Sequence, residues 1–347
     1  MQQNNISELL DIFIITYNRA SKLKKTFEQI LSKESPIRNF EINIIDNNSS
    51  DDTASVVQNY KSKFPNVKYI KNKYNIGANA NIMKAFYMTN KKYVWVLADN
   101  DEYCWDSWDE VENAILQNKD AIMVSTYEYP WLDIAQFFIQ TTFLPGVIYN
   151  TNLINDNTMG NMAFNISNMF PHLALSSKLI NENKDVYIVK NAIIEVGNNK
   201  DEVTGEYKYT RGYSDKKIHT LMKDMNWVTG FANSLYMIQD KKVRNYIATH
   251  NKFYISELTS AKIFFYNEKN FNGNLYNLLS IFCVLNFANK IRFLFNWLCF
   301  YTLYKILFIY SECKRVKNRK EYYKQYRICI LNLIKIKLFK IKIKEQK

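Results

Sequence analysis

With 347 residues and 47% apolar side chains, the chain can bury one large core or two smaller ones, which excludes a disordered or fibrous protein. The net charge of +13 sits at one end: residues 290–347 carry 16 Lys/Arg against 3 acidic residues, and the rest of the chain is neutral. That distribution argues against a nucleic-acid partner and for a neutral body with a basic tail that meets an anionic surface.

The opening residues Met1–Asn5 lack a basic region followed by an apolar one, so no secretory signal is expected. Asp11-Ile12-Phe13-Ile14-Ile15-Thr16 reads as a buried strand running into the polar turn Tyr17-Asn18-Arg19. Leu23, Phe27, Ile30 and Leu31 then recur at helical spacing, and Pro36 ends that pattern. Glu41 to Asp46 is a second strand, followed by Asn47-Asn48-Ser49-Ser50-Asp51-Asp52-Thr53, dense in turn and helix-capping residues. Val56, Val57 and Tyr60 mark the next helix, and Val67 to Ile70 a short third strand. Gly77 opens a helix carrying Ile82, Ala85, Phe86 and Met88, and Tyr93-Val94-Trp95-Val96-Leu97 is a fourth strand that ends in Ala98-Asp99-Asn100-Asp101. Strand and helix alternate three times in this stretch, which predicts a parallel sheet covered on both faces.

Polar clusters follow three of these strands, and in a parallel sheet they face one crevice beyond the strands' carboxyl ends. Two carboxylates one residue apart suit a divalent cation that also touches phosphate oxygens. No G-x-G-x-x-G follows the first strand and no G-x-x-x-x-G-K-[ST] occurs, which counts against a dinucleotide-binding domain and a P-loop NTPase.

In order and spacing, Asp11–Arg19, Ile44–Thr53, Asn75–Asn81 and Leu97–Asp101 resemble a family 2 glycosyltransferase of the GT-A fold, over roughly residues 9–125. The resemblance implies an α/β, mostly parallel mixed sheet with helices on both faces. It implies that Asp46 bonds the nucleobase and that Thr16, Asn18, Arg19 and Asn48 line the nucleotide pocket. Asp99 and Asp101 would be the D-x-D pair at Mn²⁺ or Mg²⁺, Asp99 nearer the ribose and Asp101 on the metal, with Asn100 between them also on the donor. Asn81 has a plausible place in the same crevice. The sequence departs from the pattern at Tyr17, where proline is frequent, and at Asn100, where a third acidic residue is common.

An inverting transfer needs a base for the acceptor hydroxyl. Where the resemblance puts a carboxylate at a helix start, this chain has Asn168-Met169-Phe170-Pro171-His172, with Pro171 suited to the first helical position, Asn168 to the cap and His172 to the base. Asp156 and Glu128 are the alternatives, Glu128 because it follows the strand Ala121–Ser125. Val186–Val189 and Ala192–Val196 read as short strands, and Asn198–Tyr213 as a loop that closes over bound donor.

Beyond residue 215 the pattern is helical and then basic. Expected domains are therefore a catalytic 1–215 and a helical, basic 216–347. No stretch between Leu278 and Tyr310 is long and uncharged enough to span a bilayer; its aromatic faces with Lys290, Arg292 and Lys305 suit a helix lying on the membrane surface. The five cysteines are odd in number and lack C-x-x-C spacing, which speaks against disulfide and zinc frameworks. The expected protein is a UDP-sugar-dependent transferase acting on a saccharide or lipid-linked saccharide in surface-polysaccharide or lipooligosaccharide synthesis. It would work at the cytoplasmic face of a membrane through its tail, with a homo-oligomer open. The rivals are a nucleotidyltransferase, whose glycine- and Arg/Lys-rich loop is missing after the first strand, and a non-catalytic scaffold, which would have no need of the D-x-D or of Asp46.

Overall fold

The computed structural model describes residues 6–125, 133–166, 169–197 and 227–250, with five further positions between 282 and 294. A one-turn helix α1 (Ile6–Leu9) leads into β1 (Leu10–Thr16). Then follow α2 (Ala20–Ile30), β2 (Ile42–Asp46), α3 (Thr53–Lys63), β3 (Val67–Lys71), α4 (Ala78–Met88) and β4 (Tyr93–Leu97). Next come β5 (Glu102–Tyr103), α5 (Trp108–Leu116), β6 (Ala121–Met123), α6 (Ile134–Gln140), β7 (Val147–Asn150), α7 (Asp156–Phe164) and α8 (Leu173–Asn181). The described elements end with β8 (Val186–Ile188), β9 (Ile194–Glu195), α9 (Trp227–Ser234) and α10 (Lys241–His250).

Seven strands form one sheet in the order β3-β2-β1-β4-β7-β6-β8. β1 pairs in parallel with both β2 and β4, and β2 with β3, as the strand–helix alternation predicts. β7, which the sequence pattern does not announce, runs antiparallel between β4 and β6. β8 then pairs in parallel with β6, while β9 leaves the main sheet to pair with β5.

The central strands are apolar on both sides because helices cover both faces. Ile12, Ile14, Ile42, Ile44, Trp95 and Leu97 face α2, α3 and α5, whereas Phe13, Ile45, Val94 and Val96 face α4, α7 and α8. Helix α2 buries Leu23, Phe27 and Ile30, one stripe at i, i+4 and i+7. Trp95, fully buried, stacks on Trp108 and meets Tyr103 edge-on, and its indole N–H donates to Pro145 O at 2.7 Å. Truncating a buried ring of this size costs about 3–5 kcal/mol, so this cluster is the floor on which the loop after β4 rests.

The compact unit holding the sheet runs from Met1 to Asn251, and α10 packs against α6 within it. The 227–250 helices thus belong with the sheet rather than with a region starting at 216. Glu128, Asn168, the loop Asn198–Tyr213 and all but five positions of the 278–347 tail lie outside the described residues.

Candidate active site

The parallel register sets the site. Thr16 lies opposite Asp46, and Ile14 lies opposite Leu97, so the chain segments that follow β1, β2 and β4 emerge at one edge. Thr16 Oγ donates to Asp99 Oδ2 at 2.6 Å. One guanidinium nitrogen of Arg19, Nη1, reaches Asp99 Oδ1 at 2.8 Å and Asn100 Oδ1 at 2.9 Å. Burial pushes the Asp99 carboxyl up in pKa, and Arg19 and Thr16 pull it back.

Asp101 is placed differently. Its Oδ1 receives only a long bond, 3.4 Å, from Gly197 N, and its Oδ2 is buried with no hydrogen-bond partner. Burial is the main cause that lifts its pKa to about 7, and the Asp99 charge adds to it. The loop that carries it is held by Gln29 of α2, whose Nε2 donates to Asp101 O and whose Oε1 accepts from Tyr103 N, each at 3.1 Å. Gly197 closes against the same loop: a Cβ there would sit 1.6 Å from Asn100 O, so only glycine fits. Tyr103 OH, whose pKa burial and then the Asp101 and Asp99 charges raise, is also buried without a partner.

The wall after β2 is a closed lattice of bonds. Asp46, fully buried, accepts from Ser49 N and Ser49 Oγ on one oxygen and from Tyr69 OH at 2.6 Å on the other. The carboxylate expected to read a nucleobase therefore first shapes the turn; Oδ1 already accepts two bonds, and only Oδ2 keeps lone-pair capacity for a ligand. Asn18 and Asn48 both have positive φ, 51° and 66°, a conformation that asparagine tolerates better than most residues. Asn18 Oδ1 accepts from Ser50 N at 2.8 Å, tying the first loop to the second, and Asn48 is exposed at the rim. Asp51 links the same two loops by accepting from Ala20 N and from Thr53.

Two of the expected residues are not brought to the open face of the crevice. Asn81 is 2% exposed and spends its amide on the protein, donating to Ile45 O at 3.1 Å and accepting from Asn72 Nδ2 at 2.9 Å. It is scaffold behind the crevice, part of an amide network in which Asn72 also donates to Asn47, and Asn47 to Asn75. Gly77 (φ 85°) starts α4 beside this network, and its N–H donates to Asn75 Oδ1. Asp156 is displaced altogether. Because β7 is antiparallel, the chain leaves it at the amino ends of the parallel strands, where Thr151 bonds Lys91 O and Lys92 O. Asp156 opens α7 there, exposed, at the edge opposite Asp99.

His172 is on the crevice side, since Thr142, its partner, precedes the turn that enters β7 level with the end of β4. It stands at the N-cap position of α8, which begins at Leu173 rather than at Pro171, and its side chain makes no capping bond. Its Nε2 is 3.3 Å from Thr142 O, Nδ1 has no partner, and burial drives its pKa down to about 4. Ser125 Oγ and Gln140 Oε1 are likewise buried without partners. Among the described residues no three His, Cys, Asp or Glu side chains gather into a metal cage. Asp101 Oδ2 is nevertheless a buried, unsatisfied anionic oxygen, which fits one protein ligand of a cation whose other ligands come from phosphate and water. Gln29, Gly197 and Tyr69 escaped the sequence reading because each acts through a fold-dependent contact; Gly197, a lone glycine after a short strand, was the one visible signal.

Acidic groups at the carboxyl ends of parallel strands, steadied by a guanidinium and a hydroxyl, line a crevice of the kind in which open α/β enzymes bind their ligands. Residues 11–183, half of the chain, match the family model of glycosyl transferase family 2, and the chain belongs to that family of enzymes. Over 94 residues it is 35% identical to a GalNAc(5)-diNAcBac-PP-undecaprenol beta-1,3-glucosyltransferase of Campylobacter jejuni, covering 27% of this chain and 30% of that one. Over 101 residues it is 30% identical to abequosyltransferase RfbV of Salmonella typhimurium, covering 28% and 30%. These matches thus span under a third of either relative. A crystal structure of S. aureus TarS residues 1–349 with UDP-GlcNAc superposes with a TM-score of 0.55 at 14% identity, over 92% of this chain and 91% of that one. That likeness is one of fold, and the shared fold is GT-A.

Proposed function

We propose that the chain transfers a sugar from a nucleotide-diphosphate donor, UDP-linked in our reading, to a saccharide or lipid-linked saccharide, with inversion at the anomeric carbon. The observation that carries this is Asp101 Oδ2, a buried carboxylate oxygen without a partner beside an Asp99 that Thr16 and Arg19 hold in place. Asp101 would hold Mn²⁺ or Mg²⁺, with Asp99 beside it. When bound, that cation neutralises charge on the departing diphosphate. Arg19 adds a fixed positive charge on the same side. The Asn18–Ser50 and Asp46–Ser49 bonds hold the nucleoside end of the crevice in its working shape.

His172, neutral and with Nδ1 available, serves as the acceptor-side base in this reading, and Glu128 is the alternative. A pKa of about 4 makes His172 a weak base, which sets its contribution at the low end of the range for general bases, about 10²-fold. The lipid-linked substrate named in the Campylobacter relative and the UDP-sugar bound in TarS support the choice of substrate classes. The basic 290–347 segment meets an anionic membrane surface at the cytoplasmic face, in surface-glycan assembly.

The test is a thermal-shift screen of UDP, GDP, dTDP and CMP with and without Mn²⁺. A nucleotide at 100 times its dissociation constant adds about 2.7 kcal/mol of stability. The reading expects UDP to shift the midpoint only with Mn²⁺, and the shift to vanish in Asp101→Ala. A shift that ignores Mn²⁺ or survives Asp101→Ala would remove the metal assignment, and no shift with any nucleotide would favour the scaffold alternative.

A further inference from the structure

Between Thr53 and Ala98 the chain has eight lysines and not one Asp or Glu. This stretch forms α3, the edge strand β3, the loop beyond it and α4. Lys68 and Lys73 are exposed, Lys84 is half-buried, and none of the three forms an ion pair with a carboxylate among the described residues. Beside them stand large apolar groups in water: Tyr74 is 66% exposed, Ile76 43% and Tyr87 78%. Helix α4 buries Asn81, Ile82, Ala85 and Phe86, which turns residues 80, 84 and 87 outward as one stripe. Ile76 lies one turn before that stripe, and Lys73 stands 5.3 Å from the ring of Tyr74.

Lysine on an edge strand discourages strand pairing and needs no ligand to explain it. That account leaves the three exposed apolar side chains without a purpose. Lysine interspersed with tyrosine and a large aliphatic group is the composition of a surface that rests in a lipid headgroup layer, the charges on anionic phosphates and the rings at the boundary. The bordering elements carry Glu41, bonded to Asn43, Asp51 and Asp52 before α3, of which Asp51 is bonded to Ala20 N and Thr53, and Asp156 at the start of α7; all lie outside the lysine-bearing stretch.

We infer that the face made by β3, the Lys73–Ile76 loop and α4 is a docking surface of the catalytic body for an anionic bilayer, separate from the basic 290–347 segment. Because Asn72 N bonds Asp46 O, the Lys73–Ile76 loop sits on the rim of the nucleotide crevice. Docking there would bring the crevice to the height of the headgroups, where a lipid-linked acceptor presents its saccharide. The inference concerns binding alone and stands whether or not the UDP-sugar reading holds.

The full chain is to be sedimented with vesicles of phosphatidylglycerol and phosphatidylcholine, and with phosphatidylcholine alone, while hydrogen exchange is followed across residues 67–88. Anionic vesicles should slow exchange in the loop and in α4, and neutral ones should not. A variant combining Lys68→Gln, Lys73→Gln, Tyr74→Ser and Tyr87→Ser, which leaves residues 290–347 intact, should bind anionic vesicles about ten-fold more weakly. A second variant with Lys61→Gln and Lys63→Gln only, losing equal charge from the end of α3, should bind within about two-fold of the unaltered chain. Unchanged exchange in 67–88 on bound vesicles, or equal loss in both variants, would overturn the inference. So would protection of this face by nucleic acid and not by vesicles.

Discussion

The two sides of the crevice are built on opposite plans. On the side of β1 and β2, the polar groups are bonded to one another: Asp46 to Ser49 and Tyr69, Asn18 to Ser50, Asp99 to Thr16 and Arg19. On the side of β5, β6 and α8, the buried atoms Asp101 Oδ2, Tyr103 OH, Ser125 Oγ and His172 Nδ1 have no partner. An unsatisfied buried polar atom costs about 1–3 kcal/mol; in the amide network of the first side only Asn75 Nδ2 is such an atom. The first side is all but finished within the protein, and the second leaves four buried polar atoms unpaired.

The largest effect that would break this contrast is at Asp101. Asp101→Asn should lower transfer by about 10²–10³-fold, yet raise the stability of the metal-free protein above neutral pH. The sign follows from the proton count. With a folded pKa of about 7 against 3.8 for the free group, Asp101 binds more proton in the folded state, so stability falls as pH climbs from about 4 to 7. The loss is about 4 kcal/mol at 1.36 kcal/mol per pKa unit, and Mn²⁺ should restore it. Denaturant titrations at pH 5 and 8 would check this; equal pH slopes in parent and variant would mean that Asp101 is not buried alone.

A smaller effect is expected at His172. His172→Ala should reduce turnover by about 10²-fold with donor affinity retained, as measured by single-turnover kinetics and nucleotide binding. A change of only a few-fold would pass the base role to Glu128. His172 also slopes the other way in stability. Its folded pKa of about 4 lies below the ordinary 6.5, so the unfolded chain takes the proton first and stability drops as pH falls from about 6.5 to 4. The smallest effect on chemistry is expected on the finished side. Asn81→Ala should cost about 1–3 kcal/mol of stability and leave the turnover of the remaining folded enzyme within a few-fold. A large loss of donor affinity at full folding would return Asn81 to the ligand contacts.

The same contrast explains what could be read from the chain. β1 to β4 and their helices were legible because apolar runs and helical spacing carry local information, and Asp99 and Asp101 stood out by ending such a run. The bond from Tyr69 to Asp46 was not, because the two meet only once β2 and β3 pair. Asn81 looked like a ligand because an exposed and an inward-turned amide read alike in sequence. Asp156 was misplaced because its position depends on the direction of β7, a four-residue strand with little pattern of its own. Gln29 clamps a loop 72 residues away, a contact that no local periodicity encodes.

That short strand has a consequence for how the molecule assembles. Ile148 pairs with Trp95 on one side and Ile122 on the other, so among the described strands β6 and β8 join the sheet only through β7. β6 leaves the ribosome before β7 and has nothing to pair with until β7 arrives. The first four strands, each close in sequence to its helix, can condense beforehand, since local contacts form faster than distant ones. The chain thus builds the half that carries Asp46, Asp99 and Asp101 first, and insertion of Val147–Asn150 is the late event that welds on the half made of β6 and β8.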